Sequence, residues 1–383
     1  MALAPELTDL RIDRLRERRS AKWTQYEPDV LPSWVAEMDF PLAEPIKEAL
    51  NGAVSRDDAG YANPAASGLA DALSGFLARR QGWAPDPAGI VTCNDVVAGL
   101  TDLLRLLLGP GERVVVTPPV YHPFFSLVPE AGCEIAAVPL AGGRDLDLDG
   151  IAGAFAAGAR AMLLCNPHNP TGSVASRAEL EALAALAAEH DAWILADEIH
   201  APMTLPGAEH VPFLTVSDAA AARGIALVSA SKTFNLAGLG CAQIVTAAGS
   251  ARATLADLPF AATHCGHFGA IASETAYRAG DGWLDAVLAV LDHNRALLAD
   301  LLAERLPDAR CELPRAGYLA WIDLSAYGLG ADPAAPILER GRVAFSSGPM
   351  FGAGGDGHIR LNAGTSPDLV RAAVEGMAVA IDA

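Results

Sequence analysis

Between residues 89 and 246, seven short apolar runs recur, each bounded by turn residues. They are GIVTC (89–93), RVVVT (113–117), EIAAVPL (134–140), AMLLC (161–165), AWILA (192–196), IALVS (225–229) and AQIVT (242–246). Each has strand length and lacks the polar alternation of a half-exposed strand. Between several of them the spacing turns helical, most plainly in SRAELEALAALAAEH, where Ser176 and Glu179 form a capping box ahead of a leucine stripe. Buried strands alternating with helices predict an α/β fold built on a mostly parallel seven-stranded sheet, covered on both faces.

Beyond Gly282 the texture changes. WLDAVLAVLDHNRALLADLLAERL predicts a long amphipathic helix. GYLAWIDL, RVAFSS and GHIRLNAG predict short strands, and LVRAAVEGMAVAI a last helix. The expected organisation is a large domain of residues 46–282 and a smaller α+β domain of residues 1–45 and 283–383. At 51% hydrophobic and 19% charged residues over 383 positions, the chain can fill two cores and is not a disordered one. A net charge of −19 disfavours nucleic acid and anionic membrane as partners. The N-terminal stretch mixes arginines with Glu6, Asp9, Asp13 and Glu17 and has no apolar h-region, so it does not read as a signal peptide. No run reaches the length of a membrane span. Six scattered cysteines without a CxxC pair predict reduced thiols, no structural metal and a cytoplasmic location.

In an open α/β sheet, chemistry gathers at the carboxyl ends of the strands, and here those ends carry the unusual residues. IALVS leads into ASK, and a desolvated Lys232 would have the lowered pKa of an amine able to attack a carbonyl; as an ordinary lysine it would sit in solvent or an ion pair. AWILA leads into DEIH, where Asp197 is costly to bury unless paired, and His200 follows. AMLLC leads into NPHNPTG with Asn169, long and specific for a simple turn. GIVTC leads into NDVVAGL, a helix start whose free N–H groups at Val96 and Val97 suit a phosphate, or an ordinary capped helix. RVVVT leads into PPVYHPF, where Tyr121 offers a stacking face or plain core. In the smaller domain Arg360 stands alone on the apolar strand HIRLN, where its fork suits a carboxylate, from a ligand or from a structural ion pair.

Together NPHNPTG, DEIH, SKTFNLAGL and RLNAG resemble, in order and spacing, the fold-type I pyridoxal-phosphate enzymes, the aspartate aminotransferase superfamily. Within it, LPSWVAEMDFP (31–41), YLAWIDL and the histidine of DEIH resemble the cystathionine β-lyase-like carbon–sulfur lyase branch. The match runs from about Trp34 to the C-terminus. The resemblance implies pyridoxal 5'-phosphate as cofactor and no metal. It implies Lys232 as the lysine of the internal aldimine, Asp197 on the ring nitrogen, and Tyr121 stacked on the ring, these three forming the catalytic set. Asn169 and His200 would contact the ring oxygen. Val96, Val97, Ser229 and Ser231 would hold the phosphate, joined by Tyr61 from the partner subunit of a homodimer with a shared site. Arg360, Asn169 and Trp34 would bind the substrate. Three features depart from the pattern: Glu37 stands where the branch has aspartate, GYANP replaces a Gly-Tyr-Thr sequence, and Gly240 stands where aminotransferases place a phosphate-binding arginine. His264 and His267 fall in a segment that in relatives lies near the dimer-shared site.

The implied reaction is α,β-elimination from L-cystathionine or another L-cysteine S-conjugate, with Lys232 abstracting the Cα proton, to give a thiol, pyruvate and ammonia. An aminotransferase using the same residues is the main alternative. A specialised-pathway enzyme acting on an S-conjugated amino acid is another, and a cofactor-retaining binding domain a third. The complete set of Lys232, Asp197, Asn169 and Arg360 speaks against the last.

Overall fold

A computed structural model describes residues 3–63, 67–247 and 249–382. All seven predicted runs form strands: β1 (Ile90–Cys93), β2 (Arg113–Val116), β3 (Glu134–Ala137), β4 (Ala159–Cys165), β5 (Trp193–Asp197), β6 (Gly224–Val228) and β7 (Ala242–Val245). They make one sheet in the order β1-β7-β6-β5-β4-β2-β3. Every neighbouring pair is parallel except the two made by β7, which runs antiparallel to both β1 and β6. Two reversals cancel, so β1 points the same way as the other five. The carboxyl ends of all six, and the amino end of β7, therefore lie along one edge of the sheet.

The missing alternation in these runs is explained by their surroundings. On one face Val115, Met162, Leu164, Ile194 and Ala226 pack with Phe76, Leu180 and Leu183 from covering helices. On the other, Val114, Leu163, Leu195 and Leu227 pack with Leu100, Leu103 and Leu104. Both faces being buried, successive residues are apolar whichever way they point. The capping box of helix Arg177–Glu189 is present, with both Ser176 and Glu179 side chains bonded to the opposite backbone N–H.

A second sheet joins β8 (Leu319–Asp323), β9 (Ser346–Ser347) and β10 (His358–Asn362) in the antiparallel order β9-β10-β8. Helices Asp281–Arg305 and Pro367–Asp382 pack with it, through Leu298, Leu302, Val374 and Met377 against Ile322, Ile359 and Leu361. The N-terminal segment is tied to this sheet: Leu31–Pro32 pairs with Val343–Ala344, and Arg342 forms an ion pair with Asp29 at 2.8 Å.

Residues 34–39 then form a strap between the two sheets. Asn362 Nδ2 donates to Val35 O and Glu37 O, both at 2.7 Å. From the large sheet's side, Asn235 accepts from Met38 N–H and donates to Met38 O. Beneath the strap, the buried pair of Lys22 and Asp39 meets at 2.8 Å, and Lys22 also donates to Glu37 O at 3.0 Å.

Candidate active site

Every strand end on that edge except that of β3 brings residues to one place. β1 passes into helix Val96–Leu107, whose cap Asp95 accepts from Ala98 N–H at 2.8 Å. The first-turn N–H groups of Val96 and Val97 have no acceptor within the helix. β5 ends in Asp197, and β6 passes to Ser229, whose Oγ accepts from Ser231 N–H at 3.1 Å and caps the helical turn Ala230–Thr233. Lys232 is thus carried on a short helix just past β6 rather than at the strand end itself. Lys232, Asp197, Asn169, His200 and Tyr121 line a cavity of about 280 Å³, and Val96, Val97, Ser229 and Ser231 line the same cavity. Ser229 spends its hydroxyl on the fold, donating to Cys241 O at 2.7 Å.

Burial sets the charges. It holds the Lys232 amine down at about 8, with the Arg360 guanidinium pushing the same way and Asp197 opposing. Its Nζ donates to the strap at Ala36 O, 3.0 Å away. Burial raises the Asp197 carboxyl to about 7, although Ile199 N–H donates to it at 3.2 Å. His200 is pressed down to about 3 by burial, then by Lys232 and Arg360, so its ring is neutral; its Nδ1 is buried without a partner. Burial and the Asp197 charge lift the Tyr121 hydroxyl to about 12.

Arg360 is buried on β10. Its Nη1 donates to Asn169 Oδ1 at 2.9 Å, and its Nη2 to Trp34 O at 3.0 Å and Ser346 Oγ at 3.1 Å. Its Nε has no partner, and among the described residues no carboxylate pairs with it. Burial drives its fall to about 10, with Tyr121 and Tyr318 opposing. A desolvated, unpaired guanidinium costs several kcal/mol, a cost that an incoming anion relieves. Arg360 and the Trp34 side chain line a second cavity of about 440 Å³. The Arg360–Asn169 bond joins it to the first, because Asn169 belongs to the wall of that one.

The donor set fits pyridoxal phosphate. An amine with a lowered pKa, a buried carboxylate, a flat tyrosine face and two free helix-start N–H groups surround one ring-sized space. Gly240 has a left-handed φ of +60°, and a Cβ there would lie 2.9 Å from Asn94 Oδ1. A side chain at 240 would strain the left-handed backbone and displace the Asn94 side chain, which is a local reason for the absent arginine.

Two groups of expected residues lie elsewhere. Tyr61 is 95% exposed and, with Phe260, His264 and Cys265, lines a separate surface hollow; Pro64 of its GYANP stretch is outside the described residues. His264 Nδ1 donates to Phe260 O at 2.8 Å, and His267 meets Asp58 at 3.0 Å; neither lines the Lys232 cavity. The sequence reading did not single out Ala36, His122 and Tyr318. Ala36 acts through its carbonyl, which also accepts from the Tyr318 hydroxyl at 3.1 Å, and a carbonyl leaves no mark in residue type. All six cysteines are free, and no cluster of metal-ligating side chains occurs among the described residues. No helix among them is long and apolar enough to cross a membrane.

Residues 35–377 match the family model for aminotransferase class I and II. The chain belongs to the aminotransferase class I and II family. Within that family it is 38% identical to a cystathionine β-lyase of Corynebacterium glutamicum, over 89% of this chain and 91% of the relative. It is 35% identical to a cystathionine β-lyase of Bacillus subtilis, over 93% and 96%. The structure superposes on a pyridoxal-phosphate-bound C–S lyase from Staphylococcus hominis with a TM-score of 0.89 at 28% identity, covering 97% and 99% of the two chains. These whole-chain likenesses place it in the carbon–sulfur lyase branch of the fold-type I pyridoxal-phosphate enzymes.

Asp197 gives a test of these electrostatics that needs no substrate. A carboxyl at about 7 in the folded state and 3.8 unfolded holds its proton more tightly when folded, so its contribution to stability falls as pH rises from about 4 to 7. Asp197→Asn removes that loss. In urea melts of the apoprotein, D197N should exceed wild type by only about 1 kcal/mol at pH 4.5. At pH 8 the variant should be more stable, by at most about 4 kcal/mol. An equal difference at both pH values would contradict a raised Asp197.

Proposed function

We propose that the protein is a carbon–sulfur β-lyase, eliminating a thiol from an L-cysteine S-conjugate such as L-cystathionine and leaving pyruvate and ammonia. The observation that carries it is the buried, unpaired Arg360 guanidinium, bonded to Asn169 at the junction of the Lys232 cavity and a second cavity. An α-carboxylate held there sets an amino acid between the lysine and a space for its side chain. Whole-chain likeness to proteins named cystathionine β-lyase supports elimination over other fates of the same site.

When bound, pyridoxal phosphate supplies the electron sink that stabilises charge at the substrate Cα. Lys232 anchors the cofactor and, once its amine is free, takes the proton from Cα; a lysine at about 8 is a far better base at neutral pH than one in water. Ala36 O gives the free amine a fixed resting partner on the strap. Asp197 would keep the pyridine nitrogen protonated. Asn169 and His200 would serve the ring oxygen, and Tyr121 would offer the ring a stacking face. The helix-start N–H groups at Val96 and Val97, with Ser231, would hold the phosphate, while Ser229 shapes its loop. With the Cα proton taken by Lys232, the Cβ–S bond would break and one water would complete the balance to thiol, pyruvate and ammonia.

The proposed unit is a homodimer in which Tyr61 reaches the partner's phosphate site. Its near-complete exposure beside Phe260, itself 82% exposed, supports that reading. The proposed division into a 46–282 domain and a 1–45 plus 283–383 domain places its second boundary in the first turn of helix Asp281–Arg305.

Holoenzyme incubated with L-cystathionine or S-methyl-L-cysteine, with no keto acid present, should release pyruvate and thiol in equal amounts. Turnover that appears only when a keto acid is added would instead identify an aminotransferase.

A further inference from the structure

We infer that the site prefers an apolar S-substituent over one bearing a carboxylate, because the cavity continuing from Arg360 is apolar-walled and its further charge is the carboxylate of Asp332. The inference rests on the lyase reading and narrows its substrate class.

Three distant parts of the chain build this cavity of about 440 Å³. Tyr26 and Trp34 come from the N-terminal segment, packed edge to face at 5.8 Å. His122 comes from the loop after β2, and Leu338, Phe345 and Met350 from the second domain. The volume suits a small-molecule site, and the walls are mostly aromatic and aliphatic. Among the described residues lining it, the titratable groups are Tyr26, His122, Asp332 and Arg360. Burial raises the Tyr26 hydroxyl, so it stays neutral. Burial and the nearby Arg360 push the His122 ring down to about 4, so it too is neutral at neutral pH, and its Nδ1 is buried without a partner. Arg360 is the cation that takes the α-carboxylate.

Asp332 accepts from Ala334 N–H, two residues on, at 3.2 Å, which holds its carboxylate at the cavity wall. A second carboxylate on the substrate would leave water to face Asp332 and apolar walls with no cation of its own. An anion desolvated without a partner is strongly disfavoured. An alkyl or arylmethyl group instead exchanges water for aromatic and aliphatic contacts, worth roughly a fourfold gain in affinity per buried methylene. L-Cystathionine falls between, since its distal ammonium can meet Asp332 while its distal carboxylate has nothing to meet.

The test compares near-isosteric pairs on the holoenzyme, S-butyl- against S-(2-carboxyethyl)-L-cysteine, with S-methyl-L-cysteine and L-cystathionine alongside. Binding is read from the cofactor's visible absorbance, and kcat/KM from thiol release. S-butyl should bind at least about tenfold tighter than S-carboxyethyl, with cystathionine between them. Asp332→Asn retains an oxygen to accept from Ala334 N–H. It should shrink the S-butyl to S-carboxyethyl ratio about tenfold, and Asp332→Ser should act in the same direction. Tighter binding of the carboxylate-bearing ligand, or a ratio that neither variant moves, would overturn the inference. The absorbance series decides it even if no pyruvate forms, an outcome that would count only against the lyase reading.

Discussion

Lys232→Ala should lower kcat by at least about 10⁴ and abolish the visible absorbance of the lysine-bound cofactor, while leaving the fold intact. The size of the loss follows from what else the cavity holds. Tyr121 sits at about 12 and keeps its proton at neutral pH, and His200 at about 3 is too weak a base to take the Cα proton. No neighbour can stand in. The fold survives because Ala36 O, which loses the lysine as donor, keeps the Tyr318 hydroxyl at 3.1 Å. Removing an amine whose charged form is disfavoured by burial also lifts a cost from the apoprotein, so K232A should melt no lower than wild type. A thermal melt run beside the assay separates lost chemistry from lost structure. A variant that retained colour and turnover would remove Lys232 from the mechanism.

Arg360→Ala should reduce kcat/KM by about 10²–10³, mostly through KM, because it deletes the proposed partner of the α-carboxylate. Arg360→Lys should recover only part of this. An ammonium restores charge but not the planar fork, and it cannot donate at once to Asn169 Oδ1, Trp34 O and Ser346 Oγ as the guanidinium does. Steady-state kinetics with S-methyl-L-cysteine reads the split. A loss confined to kcat with KM unchanged would mean that Arg360 acts on the reacting atoms and not on the carboxylate. Among the residues described here it is the buried cation with no carboxylate beside it, so its replacement should cost substrate affinity without a comparable loss of stability.

Much of this architecture was legible because the physics that makes a buried parallel strand also marks it in the sequence. Seven runs without polar alternation became seven strands, and β4 and β6, buried almost throughout, are the plainest cases. The residues breaking those runs at their ends, Asp197, Asn169, Val96 and Lys232, are the ones the topology gathers along one edge. What the sequence concealed is of three kinds. Backbone groups carry no residue signature: Ala36 O holds the Lys232 amine, yet alanine is the least informative residue a strap could present. Assemblies of distant segments are equally silent, since Trp34, His122, Asp332 and Arg360 share a cavity wall only after folding. Ser229 shows a third limit. A hydroxyl beside a phosphate-binding loop looks like a ligand, but in the folded chain its proton is given to Cys241 O.

The account stands or falls on whether the cofactor returns to Lys232 after every turnover. Holoenzyme mixed with a large excess of S-methyl-L-cysteine, without keto acid, can be followed through its visible spectrum while pyruvate, ammonia and methanethiol are counted. The lysine-bound spectrum should persist through many turnovers, with the three products in equal amounts. Bleaching to the amine form after one equivalent of substrate, with no thiol released, would contradict elimination and make this site a transaminase.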